Sequence, residues 1–177
     1  MKRQEKIDII KKAIKDTAIT RFYFSYDENY FHYYLHAVNE KFILGQEEND
    51  FLLDGYAIRK ISQLRKVEVK DDKCDEINKA IGLKAQIKKP DVDISSWQTI
   101  FEDLKKLNTF IIIEDEISEY FFIGVIKKVL KNKVYFLEFD ANGIWSDYEA
   151  EIPYSMITSV QWNTRYATTW EKYLKSK

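Results

Sequence analysis

The only two histidines of the chain, His32 and His36, lie in an aromatic segment with three residues between them. On a helix this spacing would suit a metal site, because residues four apart share one face. The segment instead predicts a β-strand, on which Tyr30, His32, Tyr34 and His36 lie on the same face. On a strand the two imidazoles are roughly 13 Å apart, too far to share an ion. We therefore expect no metal site there.

This row of four rings has two interpretations. Aromatic rows can stack unpaired nucleic-acid bases, because every base has a π-face. Such surfaces normally accompany a basic groove, whereas this chain has 28 lysines and arginines against 29 acidic residues, for a net charge of −1. We favour the interpretation that the rings pack across strands or under a helix. Nucleic-acid binding through Tyr30, His32, Tyr34 and His36 is the alternative.

Two further aromatic residues, Trp145 and Tyr148, follow a turn predicted at Asn142-Gly143. A turn does not need large aromatic side chains, and aromatic residues on loops can anchor a protein interface. The competing interpretation, which we favour, is that both rings fold back and cover one end of the core. We retain both residues as candidate binding residues.

The sequence contains no recognisable catalytic signature. Consecutive acidic residues at 71–72 and 114–116 are typical of solvated turns, whereas acid–base catalysis needs carboxylates that converge from different elements. With five glycines the chain has no phosphate-cradling loop, and Cys74 lies far in sequence from both histidines. We therefore predict no enzymatic activity, no catalytic residue and no cofactor. An enzyme that uses one acidic cluster is a third hypothesis.

Composition and cysteine content suggest where the protein works. Cys74 is the single cysteine, so no internal disulfide can form and nothing indicates an oxidising compartment. The apolar stretch after the first charged residues is too short for a signal peptide, and no run approaches the roughly 20 apolar residues that span a membrane. We expect a cytoplasmic protein with no membrane partner.

The elements that position these residues follow from the spacing of apolar side chains. Ile7, Ile10 and Ile14 recur at helical spacing in a lysine-rich stretch, which predicts an amphipathic helix. Aromatic and β-branched runs then predict five antiparallel strands. These runs cover residues 21–26, 30–38, 41–46, 56–61 and 66–70.

The second half of the chain has the same order of elements. Ser95 and Gln98 have the form of a capping box, ahead of a predicted helix with an apolar face that begins at Trp97. Strand-like runs follow at 110–113, 120–129, 133–139, 148–153 and 158–162. A last amphipathic stretch predicts a C-terminal helix. Its apolar side carries Tyr166, Trp170, Tyr173 and Leu174.

An internal repeat relates the two halves at a shift of about ninety residues. Residues 29–31 match 119–121, and residues 40–44 match 132–136. The break before the last strand is repeated as well, because Ser62 corresponds to Ser155. The sequence therefore predicts a duplication.

A helix followed by five short, bent antiparallel strands resembles the Sm-like small-barrel fold, and also Src-homology-type barrels. The stretch from Phe121 through Gly124 and Ile126 to Phe136 is similar to the first half of the Sm signature, in which a glycine lets the second strand bend. The second Sm motif, an arginine or lysine followed by glycine between the last two strands, is absent from both copies. This absence argues against ring-type uridine binding.

A second resemblance lies in the first copy. The run 51–61, together with Leu64 and Val67, is similar to a pattern found in uncharacterised bacterial small-barrel proteins, over about a third of that copy. No activity is attached to that family. The resemblance therefore implies a fold and not a function.

These observations predict a mainly β protein with short α-helices, built as tandem Sm-like or SH3-like small β-barrels. The first barrel covers 1–72, a helical polar connector covers 73–94, and the second barrel with the C-terminal helix covers 95–177. Small barrels offer little concave surface for catalysis but expose strand edges. We expect a non-enzymatic interaction module that binds a protein partner or forms a homodimer.

Overall fold

The computed structural model describes all residues of the chain, 1–177, and contains ten β-strands and four α-helices. The prediction of a mainly β protein with short helices is confirmed. The chain divides into two compact units, unit 1 (Met1–Pro90) and unit 2 (Asp91–Lys177). No helix is both long enough and apolar enough to cross a membrane.

Unit 1 contains one leading helix, five strands and a second short helix. Its antiparallel sheet has the order β5-β1-β2-β3-β4, and a 3-10 turn, Ile61–Gln63, precedes the last strand. The elements are α1 (Arg3–Asp16), β1 (Ile19–Phe24), β2 (Phe31–Val38), β3 (Phe42–Asn49), β4 (Leu52–Lys60), β5 (Leu64–Val69) and α2 (Cys74–Ala80).

The core of unit 1 lies between α1 and the sheet. Ile7 and Ile10, from the predicted apolar stripe of the helix, are buried with Phe22 of β1 and Val67 of β5 in one cluster. Burial of a large apolar side chain contributes about 2 kcal/mol. Tertiary packing of this stripe therefore stabilises a helix that a short lysine-rich sequence would hold only marginally.

Unit 2 has the same arrangement. Its antiparallel sheet has the order β10-β6-β7-β8-β9, so the fifth strand again pairs with the first. The elements are α3 (Trp97–Lys106), β6 (Ile111–Asp115), β7 (Tyr120–Val129), β8 (Lys133–Glu138), β9 (Ala150–Pro153), β10 (Ser159–Trp162) and α4 (Arg165–Lys175).

The hydrogen-bonded order within each unit is open. In unit 1, β5 joins β1 and does not form a ladder with β4; in unit 2, β10 joins β6 and does not form a ladder with β9. A closed barrel would need such a ladder between the fourth and fifth strands. The pairing therefore establishes five antiparallel strands with short helices in each unit, and the predicted closure into a barrel is not part of it.

The predicted connector, 73–94, is largely part of unit 1. Its helix α2 packs on β2, where the Tyr34 hydroxyl donates to Asp75 Oδ1 at 3.0 Å and accepts from Asn78 Nδ2 at 2.9 Å. Asn78 is fully buried. These bonds draw the connector onto the sheet, and the boundary between the two units follows Pro90.

The start of α3 differs by one residue from the prediction. The N-cap is Ser96, whose Oγ accepts from the Thr99 backbone N–H at 3.1 Å. Ser95 Oγ instead donates to Asp93 Oδ2 at 3.1 Å. The predicted capping box at Ser95 and Gln98 was therefore wrong by one residue. Both serines satisfy the local sequence preference for a helix cap, so the sequence did not distinguish them.

Gly124 of β7 lies where two strands approach closely. A Cβ atom at this position would lie 2.0 Å from the backbone oxygen of Leu137 and 2.8 Å from Glu138 Cα. Further along β7, its register with β8 shifts between Ile126 and Lys128. The glycine that the sequence pattern singled out is therefore required by backbone contact.

Candidate functional site

The structure separates the four members of the aromatic row, of which Tyr30 precedes β2 and the other three lie on it. Tyr34 and His36 are buried, whereas Tyr30 is exposed and His32 is partly exposed. One face of the strand packs Tyr33 into the core with α1, and α2 covers Tyr34 on the other face. The row therefore does not form a continuous exposed stacking surface.

His36 is a packed histidine. Its ring lies 5.7 Å from that of Tyr56, and its Nε2 atom has no hydrogen-bond partner. Burial, with a smaller effect of the nearby charge of Lys89, lowers the pKa of His36 to about 4. The imidazole is therefore uncharged near neutral pH.

Tyr30 and His32 line a cavity of about 360 Å³ in unit 1, together with Glu48, Lys70 and Cys74. The centroids of the Tyr30 and His32 rings lie 5.1 Å apart. This cavity is the one place where the histidine row, the single cysteine and buried charges meet.

The charge state of His32 follows from burial. Its Nδ1 atom lies 3.8 Å from the buried carboxylate of Glu48, which by itself would favour an imidazolium. Burial nevertheless lowers the pKa of His32 to about 4, and Lys70 and Arg21 lower it in the same direction. We regard His32 as neutral near pH 7, because the two cations oppose any gain from Glu48.

Lys70 and Cys74 contact each other on one side of this cavity. Lys70 Nζ lies 2.7 Å from Cys74 Sγ and 3.6 Å from Asp72 Oδ2. Burial alone would lower the pKa of Lys70, but the contacts with Cys74 and Asp72 outweigh it and raise that pKa. The ammonium group is therefore engaged by its neighbours, and no group of three or more potential metal ligands gathers anywhere in the chain.

The basic residues on this face are paired with carboxylates. Arg21 lies 3.4 Å from Glu68 and stacks 4.6 Å from the centre of the Tyr30 ring. Lys66 also contacts Glu68, and Lys70 contacts Asp72. A phosphate backbone would have to displace these partners, because nucleic-acid affinity comes from cations that neutralise phosphates.

The second candidate region is the tip loop of unit 2, residues 140–149, between β8 and β9. Asp140 holds its first turn, since Oδ1 accepts from the backbone N–H groups of Asn142 and Ile144, each at 2.9 Å. These bonds lower the pKa of Asp140. Gly143 has a φ of 76°, a conformation that favours glycine. The predicted turn at Asn142-Gly143 is present.

The two candidate residues of this loop behave differently. Trp145 packs edge-to-face on Phe110 and Phe139, with centroid separations of 5.6 and 5.2 Å, and remains 37% exposed. Tyr148 is 78% exposed. The idea that both rings cover the core therefore holds in part for Trp145 and fails for Tyr148, which extends into solvent.

A pocket of about 420 Å³ lies beneath this loop, and we call it the Trp145 pocket. Its floor is apolar, with Phe139 and Trp145, and three carboxylates surround it. Its lining residues are Glu138, Phe139, Asp140, Ile144, Trp145, Ser146, Asp147 and Tyr148.

Glu138 is the residue of this pocket that the sequence did not single out. It lies at the end of β8, half-buried, and its carboxylate has no hydrogen-bond or ion-pair partner. Burial raises its pKa. No local pattern indicates such a residue, because its surroundings come from a loop that folds back over it.

The C-terminal helix supports the loop from below. A Cβ atom on Gly143 would lie 3.1 Å from both Trp170 Cζ3 and Leu174 Cδ2 of α4. Trp170 and Tyr173 line a neighbouring pocket of about 390 Å³ with Asn142. The sequence placed these helix residues on one apolar side, and their contact with the loop is what the tertiary structure adds.

No family model, curated protein or solved structure matches this chain.

Proposed function

We propose that this protein is a non-enzymatic interaction module that binds a protein partner through the tip loop of unit 2. The observation that carries the proposal is the exposure of Ile144 (66%) and Tyr148 (78%) beside the partly exposed Trp145. Tryptophan and tyrosine contribute a large share of interface binding energy when a partner buries them.

The rigidity of the loop supports this role. The hydrogen bonds to Asp140 and the packing of Gly143 on α4 hold the loop in one conformation. A preorganised loop loses little conformational entropy when it binds. The exposed side chains of Ile144 and Tyr148 are therefore presented on a framework suited to recognition.

The cavity of unit 1 supports the non-enzymatic part of the proposal. In a cysteine–histidine pair, the imidazole accepts the proton of the thiol. Cys74 contacts the ammonium group of Lys70, a donor, and His32 faces Glu48 and the cation Arg21. Nε2 of this imidazole accepts from Arg21 Nε at 3.5 Å and is not bonded to the thiol.

We further propose that the two units arose by duplication of one Sm-like small-barrel unit. Each has a leading helix and the same strand order, with the fifth strand beside the first. Each second strand also shifts register with the third near its middle, between Leu35 and Ala37 in β2 and between Ile126 and Lys128 in β7. Such shifts bend a strand, as a small barrel requires.

The bound protein can be a second copy of this chain, and we expect the isolated protein to form a homodimer. Its mass in light scattering should be twice the 21.2 kDa of the chain. A partner in the cytoplasm is also consistent with a single cysteine.

Site-specific photo-crosslinking tests the main proposal. A photoreactive amino acid at position 148 should yield adducts with a partner, while the same group at position 102, on the exposed side of α3, should not. The partner is then identified and purified, and the double variant Trp145→Ala/Tyr148→Ala should bind it at least tenfold more weakly. No adduct at position 148, or unchanged affinity of the double variant, would overturn the proposal.

A further inference from the structure

The Trp145 pocket has a marked charge pattern. Glu138, Asp140 and Asp147 line it, and no lysine or arginine does. Lys133 is paired with Glu151 at 2.6 Å, and Lys175 is paired with Glu171 at 2.6 Å. The pocket therefore presents uncompensated negative charge above an apolar floor.

We propose that this pocket binds the side chain of an arginine in a basic peptide segment of the partner protein, with Glu138 as its ion-pair partner. This inference rests on the proposed interaction function and deepens it. The partner is thus defined by its chemistry: an extended or flexible segment that carries arginine among small polar residues.

The unpaired carboxylate of Glu138 favours a cationic ligand. A carboxylate that is half-buried without a partner costs free energy, and this cost is recovered when a cation pairs with it. Asp140 cannot take this part, since its oxygens already accept from Asn142 and Ile144. Asp147 is exposed and adds a second negative charge at the rim.

The aromatic rings of Trp145 and Tyr148 also favour a cationic ligand. Cations are attracted to the faces of tryptophan and tyrosine rings, and the attraction grows as solvent is removed. Trp145 is held by Phe110 and Phe139, so its ring pays little entropy on binding. Tyr148 lines the rim and is 78% exposed, so its ring is available to a bound side chain.

Arginine fits this combination better than other groups. Its guanidinium is planar and weakly hydrated, so it can stack on an aromatic face while it donates two hydrogen bonds to one carboxylate. Lysine offers a compact, strongly hydrated charge and cannot do both. Phosphate groups of nucleic acids or lipids would be repelled by the three carboxylates.

Fluorescence anisotropy of labelled peptides tests the inference on the full chain. The probe is a short peptide with three arginines in a glycine–serine background. The matched peptides replace arginine by citrulline, which keeps the shape and loses the charge, or by lysine. We expect saturable micromolar binding of the arginine peptide, at least tenfold weaker binding of the citrulline peptide, and intermediate binding of the lysine peptide.

Two protein variants locate the site. Glu138→Gln should weaken binding of the arginine peptide at least tenfold without lowering the thermal unfolding midpoint, because the substitution removes a half-buried charge and keeps the shape. Glu149→Gln is the matched control, an exposed carboxylate of the same loop that does not line the pocket, and should change affinity less than threefold.

Three results with the peptides and variants would overturn the inference. The first is that the citrulline peptide binds as tightly as the arginine peptide. The second is that Glu138→Gln and Glu149→Gln weaken binding of the arginine peptide equally. The third is a dimer that dissociates on Glu138→Gln, which would make a second copy the occupant. A crosslinked partner at position 148 that lacks a basic segment would refute the arginine claim alone, whereas the absence of any adduct there would refute the interaction function.

Discussion

His32 and His36 show how burial decides the charge of a residue. Both have pKa values of about 4, below the ordinary value of 6.5, mainly because burial penalises the charged imidazole. Between pH 6.5 and 4 the unfolded chain therefore binds more protons than the folded protein. The contribution of the two neutral histidines to the free energy of unfolding is therefore complete above pH 6.5, and it is lost as the pH falls from 6.5 to 4.

Because the pKa of His36 differs between the folded and unfolded protein, stability should depend on pH, and replacing His36 should reduce that dependence. The free energy of unfolding of the native protein should fall between pH 6.5 and pH 4.5, with a contribution from His36 of at most about 1.4 kcal/mol per pH unit. His36→Phe removes that contribution. Urea unfolding of both proteins at several pH values measures the difference in slope, and carboxylate titrations cancel in the comparison. Equal slopes would show that His36 titrates normally.

At the scale of elements, the contact between β7 and β8 depends on Gly124. A Cβ atom there meets backbone atoms of Leu137 and Glu138, which cannot move without displacing the strand. Gly124→Ala should therefore destabilise the protein by about 3 kcal/mol or more. In Gly45→Ala the nearest atoms belong to side chains of Tyr33 and Leu35 at 3.1 to 3.2 Å, and we expect a loss of about 1 kcal/mol.

Urea unfolding of the two alanine variants is the direct comparison. If Gly124→Ala does not fold, its soluble yield beside Gly45→Ala gives the same ranking. Equal stability of the two variants would contradict the close approach of β7 and β8.

The start of α3 provides a second prediction at this scale. Ser96 caps the helix through Thr99, whereas Ser95 bonds to Asp93 outside it. Ser96→Ala should therefore lower the free energy of unfolding by about 1 kcal/mol, and Ser95→Ala by less. Thermal unfolding of the two variants measures this, and a larger loss from Ser95→Ala would restore the cap that the sequence pattern suggested.

At the scale of the whole molecule, charge balance argues against nucleic-acid binding. The chain has a net charge of −1. The basic residues on the face of unit 1 near Tyr30 are paired with carboxylates, namely Arg21, Lys66 and Lys70. We expect no binding of labelled single-stranded RNA or DNA at low micromolar protein and moderate salt. Anisotropy at two salt concentrations checks this. Micromolar affinity that weakens as salt rises would favour the alternative function and direct mutations to His32.

Properties that depend on neighbouring residues could be predicted from the sequence. The apolar stripe of α1, the strand runs, the turn at Asn142-Gly143 and the glycine at position 124 all depend on short spacings, and the structure contains each of them. Local preference was ambiguous where two adjacent residues qualify equally, as Ser95 and Ser96 do for the cap of α3, and the strand predicted at 56–61 begins at Leu52.

The accessibility of these residues, in contrast, depends on tertiary packing and could not be predicted from the sequence. Strand alternation places Tyr30, His32, Tyr34 and His36 on one face, but α2 covers Tyr34 and leaves Tyr30 exposed. Likewise, the half-buried and unpaired state of Glu138 arises because the loop folds over the end of β8. Burial depends on residues that are distant in sequence, so no spacing along the chain encodes it.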